Sequence, residues 1–243
     1  ALGVLASNIE NGKVIENGYY EMSDTLALVR KDDTQTADFI REKFAMPHQV
    51  VTIDESSVLI VDDRQRRWRL PLGDENYTKL IGQDVVRICR EVATERDLFN
   101  CHGTFYELPA ENADGYAKIR PIASHNFRIN DYASYRGMLV MTGIDPKKDK
   151  DNEHIIVSED GKAAVWAGAI DDLWSMGKPT GKGGPWKNTL VKAGEVSDPY
   201  LIGFYDKKNL TLSHNSQKDV TFTIEIDPTG NGKWVNYTTL TVK

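Results

Sequence analysis

The residues able to do chemistry gather in one stretch, from Asn100 to Arg136. It holds His102, Tyr106, Glu107, Arg120, His125, Asn126, Arg128, Asp131, Tyr132, Tyr135 and Arg136. Histidines and carboxylates transfer protons, so His102 and His125 are acid–base candidates and Glu107 is the carboxylate candidate. Glu107 follows Phe105 and Tyr106, aromatic neighbours that could desolvate it and raise its pKa. Arg120 and Arg128 are candidate substrate clamps, because a guanidinium fork matches a carboxylate. Tyr106 and Tyr135 are candidate stacking or proton-transfer groups, and Arg136 is a further candidate substrate contact. Such a set suits a small acidic sugar. The bland alternative stands beside it: Tyr and Arg pair across sheets, and a histidine can be a satisfied core donor.

Other motifs carry less. Asp171 and Asp172 are adjacent, so on a strand they point to opposite faces and cannot flank one glycosidic bond; capping or a turn is the better reading. The loop from Gly177 to Trp186 (GKPTGKGGPW) fails as a phosphate cradle. Three residues, not four, separate the first glycine from Gly-Lys, and Gly183 stands where Ser or Thr belongs. It reads as a glycine-proline connection packed by Trp186. No cofactor and no metal site is expected. Calcium is the only metal for which oxygen ligands line up, at Asp149, Asp151 and Glu153. That loop lacks the central glycine, and its lysines cancel charge, so a solvated loop is favoured. Asp227 to Gly232 reads as a plain turn. Cys89 and Cys101 are read as two separate buried thiols, with a disulfide across neighbouring strands as the alternative.

Composition bounds the rest. The 243 residues carry 30 Lys and Arg against 36 Asp and Glu, a net charge of −6, with 40% hydrophobic residues. An acidic chain disfavours a nucleic-acid backbone as ligand. The basic run Arg64 to Arg69 does not change this, since alternation sends Arg67 and Arg69 to one face and Arg66 and Trp68 to the other. Cross-strand pairing with acids such as Asp62 and Asp63 is the expectation, with an anionic glycan contact as the alternative. No apolar run reaches the ~20 residues of a membrane-spanning helix. No basic and apolar leader opens the sequence, and both ends read as cut from a longer chain.

Strand signals dominate. Asn11-Gly12 between apolar runs predicts a two-residue hairpin turn. Strands are expected at 49–53, 57–61, 66–70, 103–108, 116–122, 132–135, 138–142, 154–157 and 163–169, with 85–92 ambiguous. Four more are expected in the tail, at 200–205, 209–213, 220–226 and 234–242. One amphipathic helix is expected over 36–44, capped by Thr36, presenting Phe39, Ile40 and Phe44, and stopped before Pro47. The expected fold is all-β: four-stranded antiparallel units of ~40–50 residues, as in β-propeller blades. A β-sandwich at the C-terminus is the alternative. The chain reads as part of one propeller-like domain, divisible into N-terminal blades with the helix (1–84), central blades (85–194) and a C-terminal four-stranded blade or sandwich (195–243).

Five strings carry a resemblance: RRWRLP (66–71), REVATERD (90–97), HGTFYELP (102–109), AIDDLW (169–174) and SDPYL (197–201). Together they resemble the C-terminal part of large secreted, propeller-like proteins of carbohydrate-degrading bacteria, over most of the chain. The resemblance implies an extracytoplasmic (periplasmic, outer-surface or secreted) address, a glycan partner, and an N-terminal portion of the same protein as a further partner. It supplies no catalytic roles. The leading expectation is a glycoside hydrolase or polysaccharide lyase using the Asn100–Arg136 region. The alternative is a non-catalytic glycan-binding or structural module, in which Trp174, Trp186 and Tyr205 matter more than any carboxylate.

Overall fold

The computed structural model describes residues 1–10, 13–43, 51–74, 87–91, 96–110, 113, 115–127, 129, 131–148 and 151–243. The chain is mostly β, in several small antiparallel sheets, none of them closed. Strands β1 (Leu2–Glu10), β2 (Lys13–Met22) and β3 (Leu28–Lys31) form the first sheet, and β4 (Val51–Ile53), β5 (Val58–Val61) and β6 (Arg67–Leu70) the second. The third is a meander of β7 (Arg87–Glu91), β8 (Arg96–Cys101), β9 (Thr104–Glu107) and β10 (Arg120–Ser124). The fourth joins β11 (Tyr132–Tyr135), β12 (Met138–Met141), β13 (Ile155–Val157) and β14 (Ala164–Gly168), with β13 outermost, beyond β14.

Side-chain alternation stacks these sheets. In β8 and β9, Phe99, Cys101 and Tyr106 face one way and join Val51, Val58, Ile60 and Leu70 of the second sheet. Leu98 and Phe105 face the other way and join Tyr132, Leu139, Met141, Ala164 and Trp166 of the fourth. In β12 and β14 the residues between, Val140 and Val165, pack on Val4, Tyr20, Met22 and Leu28 of the first sheet. The packing order is therefore second, third, fourth, first, and the two middle sheets have both faces covered.

The helix α1 (Thr34–Lys43) forms close to where periodicity puts it. Its cap is Asp33 and not Thr36: the Asp33 carboxylate accepts hydrogen bonds from the Thr36 amide at 2.9 Å and the Thr36 hydroxyl at 2.7 Å. A carboxylate at the helix start satisfies orphan amides and suits the helix dipole, which leaves Thr36 as the residue that is capped. Ala37 is buried and Ile40 half-buried, whereas Phe39 is exposed. Phe44 and Pro47 lie outside the described residues, as do Asn11 and Gly12; β1 and β2 pair up to Glu10 and Lys13.

The tail departs from expectation. Of its four expected strands, two form: β15 (Val220–Ile226) and β16 (Val235–Val242) pair as a hairpin. Residues 200–213 alternate as strands do, but Ile202, Phe204 and Leu210 are exposed, and the segment contributes only a one-residue bridge from Tyr200 to Arg69. Alternation makes a strand only where a neighbour supplies ladder partners and a face to bury. The residues Ile170–Met176 form a 3-10 helix, and Asp172 caps it by accepting from the Ala169 amide at 2.7 Å. The Asp227 carboxylate closes the β15–β16 loop by accepting the amides of Thr229, Asn231 and Gly232. Cys101 is a free, buried thiol.

Trp166 is 1% exposed and stacks on His154 at 4.8 Å between centroids, inside the core shared by the third and fourth sheets. Trp166→Ala should cost about 3–5 kcal/mol of unfolding free energy. A urea unfolding curve measures this, and a loss below about 1 kcal/mol would show that the two sheets do not depend on that contact.

Candidate functional site

The β8–β9 hairpin turns through His102 and Gly103, with Cys101 paired to Thr104. Both turn residues have positive φ, 49° and 79°, as a two-residue primed turn requires. This folds His102 inward, 4% exposed, where its Nδ1 accepts a hydrogen bond from the Gly73 amide at 3.0 Å. His125 arrives beside the same turn, its amide donating to the Gly103 carbonyl at 2.8 Å. Its ring is 5% exposed, 5.0 Å from the Phe105 ring, with Nε2 2.8 Å from Asn100 Oδ1. The two histidines are thus brought together, but inside the protein. In front of them lies a shallow pocket of about 280 Å³ lined by Gly73, Asp74, Thr180, Gly181 and Lys182.

The other candidates sit elsewhere. Tyr106 is fully buried on the opposite face of β9, its hydroxyl 3.5 Å from the Pro71 carbonyl. Glu107 and Arg120 are cross-strand partners at the far end of that strand and form an ion pair at 2.6 Å, with the Arg120 guanidinium 5.9 Å from the Phe204 ring. Tyr135 and Arg136 belong to the β11–β12 turn and both reach Asp24, at 3.4 Å and 2.9 Å, where the fourth sheet meets the first. Arg128 lies outside the described residues. The described candidates sit in four separate places, and among the described residues no common cleft joins them.

A second site assembles from residues far apart in sequence. Arg67 and Arg69 share one face of β6, as alternation requires, but their partner is Asp198: Arg67 Nε donates to its Oδ1 at 2.9 Å and Arg69 Nε to its Oδ2 at 2.8 Å. Arg69 also donates to Asp54 at 3.1 Å and to the Ser57 hydroxyl at 2.7 Å. Arg66 follows the local expectation, pairing with Asp62 at 2.8 Å. Backbone bonds from the Arg69 amide to Pro199 and from the Leu201 amide to Arg69 fix the segment around Asp198 along β6. The glycine-rich loop closes the other wall. The Gly184 amide donates to the Ser56 carbonyl at 3.0 Å, and a Cβ on Gly183, at φ 119°, would collide with that same carbonyl. Those glycines serve close backbone approach, and they carry Trp186 into place.

The result is a cleft of about 510 Å³ with Trp186, half-buried, as its aromatic wall. Asp54, Glu55, Arg67, Arg69, Lys187, Glu195 and Asp198 supply its charges, and Ser56, Thr189 and Ser197 its hydroxyls. Burial opposes ionisation of Asp54, but hydrogen bonds from the Ser56 hydroxyl, the Ser57 and Ser56 amides and Arg69 outweigh it and bring its carboxyl down to about 2. Asp198 follows the same pattern: burial is overcome by Arg67 and Arg69, and its pKa is lowered. Asp54 and Asp198 were not singled out by sequence, because what marks them is a partner on a distant segment. Among the described residues no group of three His, Cys, Asp or Glu side chains could hold a metal, and Asp149 of the calcium-like loop lies outside them. Against protein-family models, curated proteins and solved structures, the chain has no match.

Burial lowers the pKa of His102 and brings that of His125 down to about 4, against about 6.5 in an unfolded chain. Between those values the unfolded chain takes up a proton that the folded ring refuses, so stability falls as pH falls from 6.5 towards 4, by up to about 3 kcal/mol for His125. His125→Gln keeps a donor for Asn100 and removes the titration. Its urea midpoint should decline less between pH 7 and 4.5 than that of the native chain; equal declines would show that His125 is not a buried neutral group.

Proposed function

We propose that this chain is a glycan-binding β module that meets its ligand at the Trp186 cleft. The observation that carries the reading is the pairing of one aromatic wall with a surround of fixed hydroxyls and charged hydrogen-bonding groups. Sugar rings present an apolar C–H face and a rim of hydroxyls, and an indole beside planar polar groups complements both. The cleft sits on strands and on chain held to them by backbone hydrogen bonds, so little ordering is required on binding. An extracytoplasmic address belongs to the same reading, since polysaccharides are met there.

Two of the cleft's four carboxylates, Asp54 and Asp198, favour binding over hydrolysis. A glycosidase needs one carboxyl group held protonated as the acid, alongside an ionised one. Asp54 and Asp198 both move the opposite way: hydrogen bonds from Ser56, Ser57 and Arg69 favour the ionised form of Asp54, and Arg67 and Arg69 that of Asp198. His102 and His125, the acid–base candidates, are nearly inaccessible to a polymer. A propeller remains the architecture that best accommodates the module. The support is the stacking of meander sheets on both faces, with the first sheet of the chain packed against the fourth.

Trp186→Ala should lower retention in affinity electrophoresis through a neutral polysaccharide panel by about tenfold, the equivalent of roughly 1.4 kcal/mol. A native-like circular dichroism spectrum establishes that the variant is folded. Unchanged retention by the folded variant would rule out the cleft as the glycan site.

A further inference from the structure

We infer that the Trp186 cleft selects uncharged sugars and rejects acidic ones, an inference that rests on the glycan-binding reading. Sequence alone left an acidic glycan open, at the Asn100–Arg136 cluster and at the basic run Arg64 to Arg69. At the cleft the arginines are Arg67 and Arg69, and carboxylates already hold both.

Four carboxylates line the cleft, Asp54, Glu55, Glu195 and Asp198, against three cations, Arg67, Arg69 and Lys187. Each cation already has a protein partner. Asp198 holds Arg67 at 2.9 Å and Arg69 at 2.8 Å. Arg69 is further held by Asp54 at 3.1 Å and by the Ser57 hydroxyl, and its side chain is 12% exposed. Lys187 Nζ donates to the Glu55 carbonyl oxygen at 3.2 Å. A uronate entering here would have to displace a carboxylate from arginine, or rely on Lys187 alone beside four carboxylates. Either course disfavours binding, and the chain's net charge of −6 adds a repulsive background. A neutral sugar meets no such opposition. Its hydroxyls can donate to the carboxylates, which remain acceptors while ion-paired, and exchange bonds with Ser56, Thr189 and Ser197. The cleft keeps its two arginines in ion pairs and presents hydrogen-bonding edges around one indole.

The test uses matched polymers that differ only in charge: polygalacturonate, alginate and hyaluronan, each beside its carboxyl-reduced form, with unmodified mannan, xylan and glucan. Retention of the native chain is measured by affinity electrophoresis at low salt and at 0.5 M salt. At least one neutral or carboxyl-reduced polymer should be retained about tenfold more strongly than any acidic one, with the difference shrinking in high salt. Glu55→Lys, an exposed position where folding is not at stake, should narrow that preference several-fold by changing the sign of the local charge. Preferential retention by acidic polymers that Trp186→Ala abolishes would overturn the selectivity while leaving the glycan site in place. No retention by any polymer would overturn the glycan-binding reading and the inference with it.

Discussion

Everything in this molecule depends on strands whose two faces are both apolar. In β8 and β9, Leu98 and Phe105 feed one core while Phe99, Cys101 and Tyr106 feed another. In β12 and β14, Met141 and Trp166 feed the first of these, while Val140 and Val165 feed a third. A sheet with two apolar faces cannot rest against water on either side, so it must be sandwiched. That one constraint fixes the order of the sheets, since each can be satisfied only by the neighbour whose inward residues match it. It also leaves the histidine turn and the Trp186 cleft at the sheets' ends, where strands give way to loops.

The cleft rests on a different interaction, the carboxylate of Asp198 held between Arg67 and Arg69. An exposed ion pair is worth little, but this one is different in kind. One carboxylate bridges two guanidinium groups, Arg69 is largely buried, and Asp54 and Ser57 complete its hydrogen bonding. Its effect is positional: it ties chain far along in sequence to β6 and sets the wall opposite Trp186. The same pairing overcomes the burial of Asp198 and keeps its carboxyl ionised.

The strand pattern was legible where alternation is strong and a neighbour exists, as at Tyr132–Tyr135, which matches β11 residue for residue. It misled in the tail, where Ile202, Phe204 and Leu210 alternate but stay exposed and gain no ladder partner among the described residues. The candidate histidines were legible as residues, and as core only in the bland alternative, because the feature that buries His102 is a hairpin turn written His-Gly. The turn is detectable in principle as a residue–glycine pair between strands. The facing of Arg67 and Arg69 was legible from alternation; their partner was not, because Asp198 lies well over a hundred residues away and only folding brings it near. Trp186 stood out as a loop aromatic, yet nothing local marked Asp54 as the residue across from it.

The central claim is that Trp186 forms the wall of a sugar site. It can be tested through the indole N–H resonances of the protein's five tryptophans, with the Trp186 signal assigned by its loss in Trp186→Phe. Titration with a retained neutral oligosaccharide should shift the Trp186 resonance in a saturable way and leave that of buried Trp166 in place. A Trp186 resonance unmoved at saturation, or a shift confined to exposed Trp174, would contradict it.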